Sequence, residues 1–275
     1  MSPSEAVCLA AAGVLYAAAF LLVRAGRLRH GLFGLIVALA AHLASAVIRW
    51  IGVGHPPVFG TYEATLAASW FLMLFAALSY RSVHREFRLL VLAAVPIAAL
   101  LLAYGVAFFD TQRIPLTISE RSLWVDVHAL FAWLAFAAFT LAFCLSACYL
   151  WSSGRRADRR LAGADPPLEI VDELAFRFIT LGFFSHSVTF ALGSHYSSIL
   201  FGTWWRWDPV FTISLAAWLM VGLCIHGRLF FHWNGRKAAR LFIAAFSVLV
   251  FSYWGLAHLP PGRSFHVFDL DVKAL

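Results

Sequence analysis

Three tryptophans within four positions, Trp204, Trp205 and Trp207, run directly into Asp208 and Pro209. An indole is a broad apolar face with a single N–H, so several together suit a large planar apolar ligand that binds by stacking. Arg206, inside the run, is placed to meet a carboxylate of such a ligand. Asp208 followed by Pro209 has the form of an N-cap and first helical residue, while Gly202 shapes the backbone ahead of them. The competing reading is an aromatic belt, because tryptophan prefers the headgroup level of a membrane.

Histidine is the second chemically suggestive group. His128 and His266 fall on either side of the tryptophan run in sequence, and two neutral imidazoles can ligate one iron from opposite faces of a planar macrocycle. The bland alternative for each is a hydrated side chain at a helix end. His226 lies 17 residues after Pro209, about 26 Å along a helix, and reads either as a ligand at the far membrane surface or as a snorkelling neighbour of Arg228. His42 and His186 fall near the middle of apolar blocks, where an ionisable group suggests function, or else a neutral ring bonded to a neighbouring helix. His55, in Gly54-His55-Pro56-Pro57, sits in a connection and is placed to cap a site.

The elements that must position these residues follow from composition. Of the 275 residues 62% are hydrophobic and 13% charged, against about half and a quarter in soluble domains. Apolar blocks run near 6–23, 31–51, 62–80, 89–109, 124–151, 175–196, 209–230 and 239–257, each long enough to cross a hydrocarbon core about 30 Å thick. The fold class is therefore an all-α integral membrane protein, with about eight transmembrane helices in one bundle spanning a single domain, 1–275. The first block has no basic lead-in and is followed by Arg24, Arg27 and Arg29, as expected of a retained helix. Pro96 is expected to kink the fourth helix, and Ala and Gly faces to carry the packing.

Basic residues gather in alternate connections, Arg24 to Arg29, Arg81 to Arg88, Arg155 to Arg160, and Arg228 to Arg240 with Lys237. The positive-inside rule makes these cytoplasmic, and puts 52–61, 110–123, the tryptophan loop 197–208, the tail 258–275 and both termini outside. The net charge of +7 is thereby used by topology, and nucleic acid is set aside as a partner. Cys8, Cys144, Cys148 and Cys224 all lie in apolar blocks and read as small hydrophobes. With no C-x-x-C pair and no C-x-x-C-H, the chain reads as neither a thiol reductant nor a c-type cytochrome.

Gly202, Trp205, Trp207 and Asp208 match in register the W-G-x-x-W-x-W-D segment of the CcsA or ResC proteins of cytochrome c maturation, relatives of CcmC and CcmF. Arg49-Trp50-Ile51, Gly54-His55-Pro56, Tyr62-Glu63-Ala64 and Ser69-Trp70 resemble the family's R-W-I, G-H-x-P, Y-E-S and S-W pattern in order and spacing. Arg177 with Leu181-Gly182-Phe183, and Gly235-Arg236-Lys237-Ala238-Ala239, extend the likeness from about residue 30 to 266. The chain departs from the pattern at Phe201, Tyr196, Ser198 and Phe211, where the family carries Trp or acidic residues, so it resembles a divergent branch.

The resemblance implies that haem b is bound as a carried substrate at the outer face of a bacterial inner membrane. It is presented there to the C-x-x-C-H motif of an apocytochrome c, with a CcsB- or ResB-like membrane partner completing a haem lyase. By position it implies His128 and His266 as iron ligands, His226 as a histidine within the membrane, and Gly202, Trp204, Trp205, Trp207 and Asp208 as the haem-binding loop. Three rival readings stay open. One is a HemX-like regulator of haem synthesis; another is a b-type electron-transfer protein using His42 and His186; the third is a transporter of another amphipathic solute.

Overall fold

The computed structural model describes residues 1–82, 87–109, 111, 122–155 and 167–256. Eight α-helices follow one another: α1 Pro3–Arg24, α2 Leu28–Val53, α3 Gly60–Ser82, α4 Phe87–Phe108, α5 Leu123–Arg155, α6 Leu168–Phe201, α7 Pro209–Phe231 and α8 Gly235–Val250. All eight are long and apolar enough to cross a membrane, α8 by continuing through a π turn at Phe251–Gly255. There is no strand among the described residues, which suits lipid, where a helix satisfies its own backbone polar groups. The protein is thus a multi-pass membrane protein.

Sequential helices pair as hairpins, with α5 on α6 and α1 on α2 as the most extensive partners, and α5 also reaches α3 and α8. Small residues permit the α1–α2 approach. Ala12, Ala19 and Ala38 are fully buried, and Gly34 stands where an added methyl would touch Ala19 Cβ at 3.5 Å. Large apolar side chains such as Val14, Leu21, Phe33, Leu219 and Phe230 point outward, as a lipid-facing surface requires. Cys144 and Cys224 are buried and all four cysteines are free thiols.

The ends of the helices sort by chemistry. At one end Arg88 donates to the Arg24 carbonyl, and Arg236 donates to Ser153 Oγ at 3.0 Å and to its carbonyl oxygen at 2.8 Å. Arg228 there pairs with Asp172 and Glu173 of α6. The opposite end carries the tryptophan loop, the start of α5 and the exit of the π turn. The longest helices are α6 with 34 residues and α5 with 33, about 50 Å each, and both outrun the apolar blocks read from sequence. Hydropathy marks the lipid-facing stretch only, so residues 197–201, read from the sequence as loop, belong to α6. Pro96 lies inside α4 without ending it.

Candidate functional site

At the tryptophan end, α3, α5, α6, α7 and the π turn enclose a cavity of about 230 Å³ with a mainly apolar wall. His128 lines it from α5, five residues after Leu123 and so about 8 Å into the helix. Its Nδ1 lies 2.9 Å from the Thr189 carbonyl oxygen of α6. A carbonyl only accepts, so Nδ1 carries a proton, which in the neutral tautomer puts the lone pair on Nε2. That is the tautomer a metal-ligating histidine needs, with its orientation set by the carbonyl behind it. Gly193, one turn further along α6, leaves room for the ring: a methyl there would stand 2.9 Å from His128 Cε1.

Deeper in the same cavity are His186, Trp133, Tyr253 and Trp254. Tyr253 donates to the Ala132 carbonyl at 3.2 Å and lies 3.4 Å from His186 Nδ1. The wider π turn brings three successive residues, Ser252, Tyr253 and Trp254, to the cavity wall, and such turns recur at functional sites. Three buried side-chain nitrogens on this wall have no hydrogen-bond partner: His186 Nε2, Trp133 Nε1 and Trp254 Nε1. An unsatisfied buried polar group costs about 1–3 kcal/mol. Aromatic rings with a few converging polar nitrogens fit a large planar ligand with polar substituents. The donor set therefore fits haem.

The tryptophan loop lies at the same end of the bundle, although none of residues 202–208 lines the cavity. Gly202 ends α6 at φ 71, a left-handed conformation that glycine adopts without strain. Asp208 caps α7, its Oδ1 accepting from Val210 N at 2.9 Å, and Pro209 opens the helix, as the sequence suggested. The indoles do not form one flat wall. Trp205 and Trp207 stand edge to face at 84°, and Trp207 is 83% and Trp204 63% exposed. Trp205 packs on Phe211, which lines the cavity, so the loop touches the cavity wall through this pair. Trp204 leans on His195, which in turn meets Trp124 of α5. Arg206 lies over the Phe201 ring at 4.2 Å.

A buried ionic cluster holds the neighbouring wall. Arg49 of α2, 3% exposed, donates to Glu63 of α3 and to Glu5 of α1, and also to the Thr111 carbonyl. Glu63 accepts in addition from Phe59 N at 3.1 Å. This fixes Val58 to Thr61, which close one side of the cavity. His55 accompanies them, with Nδ1 2.9 Å from the Pro56 carbonyl.

The structure therefore brings His128 and His186 to one cavity, while Gly202, Trp204, Trp205, Trp207 and Asp208 do not line it and Trp205 reaches its wall only through Phe211. His226 is elsewhere: it is exposed on α7 near the basic end and stacks on Phe230 at 4.4 Å. His42 is buried against Tyr16 of α1, away from the cavity. His266 lies outside the described residues. Trp133, Tyr253, Trp254 and His195 were not singled out from sequence; inside apolar spans, aromatics look like ordinary core.

A family model described as cytochrome C assembly protein matches residues 58–262, well over half of the chain and every wall of the cavity. The chain belongs to this family. Its general role is accordingly in cytochrome c assembly. Proteins named cytochrome c biogenesis protein CcsA are similar along most of its length. Those from Synechococcus sp. (strain RCC307) and Prochlorococcus marinus (strain NATL1A) are each 28% identical, over 254 and 259 residues, covering 80% and 82% of this chain and 80% and 81% of theirs. The protein of Synechococcus sp. (strain CC9311) is also 28% identical, covering 82% of this chain and 85% of its own.

Proposed function

We propose that this protein holds haem b, as a carried substrate, at the outer face of a bacterial inner membrane and presents it for covalent attachment to an apocytochrome c. The observation that carries the reading is the His128 ring, tied through Nδ1 to the Thr189 carbonyl inside an aromatic cavity. Such a ring offers an oriented Nε2 lone pair to iron. His266, which lies outside the described residues, supplies the opposing ligand. Trp204, Trp205, Trp207, Gly202 and Asp208 form the outer loop over which the macrocycle is handed outward, and His226 serves the inner surface. With the basic connections cytoplasmic, the cavity end and both termini lie outside.

Attachment joins each thiol of the C-x-x-C-H motif to a haem vinyl group: a C–S bond forms, the vinyl double bond is consumed, and the thiol proton passes to the adjacent carbon. No oxidant is needed. The chemistry asks for proximity and orientation of reduced thiols and vinyl groups, so the chain supplies no nucleophile and acts with a CcsB- or ResB-like membrane partner. The test is the absorption spectrum, oxidised and reduced, of the detergent-purified protein as wild type, His128→Ala and His266→Ala. Haem content falling in both variants at equal protein level is the expected result. Unchanged spectra in both would overturn the ligand assignment.

A further inference from the structure

We infer that Trp133 and Trp254 form a carboxyl-binding subsite, where two indole N–H groups hold the propionates of the porphyrin and leave its vinyl edge facing out of the cavity. The inference deepens the haem-holding reading above and rests on it. Trp133 comes from α5 and Trp254 from the π turn, and both line the cavity. Their rings lie side by side, with centroids 5.7 Å apart and planes inclined by 35°. Each Nε1 is buried and has no hydrogen-bond partner in the chain. An indole nitrogen can only donate, and a buried indole N–H normally finds an acceptor. The acceptor these two lack is of the kind a carboxyl group supplies.

A third donor stands on the same cavity. Ser214 and Ser252 both line it, and their Oγ atoms are 2.6 Å apart. One hydroxyl proton is used between them, so the other remains to be donated. No Lys or Arg lines the cavity among the described residues, and Arg206 of the tryptophan loop lies over Phe201 instead. A carboxyl group entering a mainly apolar wall is costly to bury unless it is hydrogen-bonded, so neutral donors carry its recognition here.

The chemistry of attachment sets which edge of the porphyrin goes in. Haem b carries its two vinyl groups on one side of the ring and its two propionates on the opposite side. The thiols that add to the vinyl groups belong to another polypeptide, so the vinyl edge must stay within its reach and the propionates enter. At about 230 Å³ the cavity is smaller than the roughly 300–1,000 Å³ of sites that enclose a drug-sized ligand, which suits one edge of the macrocycle and not the whole.

The experiment titrates the full-length chain in detergent with two porphyrins, iron mesoporphyrin IX and iron etioporphyrin III. The second carries ethyl groups where the first carries its two propionates, and they are otherwise alike. The proteins are wild type, Trp133→Phe, Trp254→Phe, the double variant and His128→Ala, with circular dichroism and Tm checking the fold. Phenylalanine keeps an aromatic ring and removes the N–H. Each indole replaced is expected to weaken mesoporphyrin binding about fivefold and to leave etioporphyrin binding unchanged, which also shows that the cavity has folded. The propionate-bending band in the resonance Raman spectrum of bound haem is expected to shift in the same variants. Equal losses for the two porphyrins, or no loss for either, would overturn the inference, as would an unshifted band. If His128→Ala weakens both porphyrins while the indole variants change neither, only this inference fails. A wild type that takes up neither porphyrin sinks it together with the reading it rests on.

Discussion

Gly193→Ala tests whether His128 is held for ligation by its surroundings. The new methyl would lie 2.9 Å from His128 Cε1 and 3.0 Å from Nδ1, with Phe211 Cε1 4.0 Å away. Unstrained carbon contacts begin near 3.5 Å, so the ring must retreat by about 0.6 Å. Nδ1 is tied to the Thr189 carbonyl at 2.9 Å, and a bond stretched to about 3.5 Å no longer counts as one. Losing the partner that orients a metal-ligating histidine costs about 10–100-fold in affinity, or roughly 1.4–2.8 kcal/mol. Alanine's advantage over glycine within a helix, about 0.5–1 kcal/mol, offsets part of the overpacking, so the variant is expected to fold. Equilibrium haem titration of the purified protein measures the loss. Gly222→Ala is the control, because its methyl meets only Phe183, at 3.5 Å, and is expected to leave affinity unchanged. A folded Gly193→Ala protein with wild-type affinity and spectrum would refute the reasoning.

Other changes probe the frame. Arg49→Met leaves Glu5 and Glu63 buried without their cation and is expected to cost about 3–5 kcal/mol, seen as a lower Tm in detergent, with part of the loss recovered when Glu63→Gln is added. Gly202→Ala forces a Cβ into the left-handed region at φ 71, at about 1–2 kcal/mol, and thermal unfolding should show a smaller loss for Gly202→Asn. Asp208→Ala removes the cap on Val210 N and should lower stability by about 1 kcal/mol while loosening the tryptophan loop. That loosening is readable as a change in tryptophan fluorescence quenching.

The spans were legible because apolar blocks of membrane length have no soluble use, and all eight match a helix. Their ends were less so. Ser197 and Ser198 read as loop, yet each turns its hydroxyl to a backbone carbonyl, Ser197 to Thr203 and Ser198 to His195, so polar residues stay within the long end of α6. Arg49 and Glu63 carried the family pattern, but that they meet is a fact of tertiary packing between α2 and α3. The Asp208 cap could be read directly, because Asp-Pro has local geometry of its own. His186 was visible as a mid-membrane histidine, whereas its place in the same cavity as His128 depends on how α5 and α6 cross. The tryptophans suggested one stacking platform; the 84° between Trp205 and Trp207 is set by the short turn from Gly202 to Asp208, which no periodicity encodes.

The most direct measurement is covalent haem on a reporter. An apocytochrome carrying C-x-x-C-H is co-expressed with the partner and with this chain, as wild type or His128→Ala, in cells lacking other maturation proteins, and covalent haem is read by in-gel peroxidase staining. The account predicts stained holocytochrome with the wild type and none with His128→Ala at equal membrane abundance. Equal staining in both would contradict it.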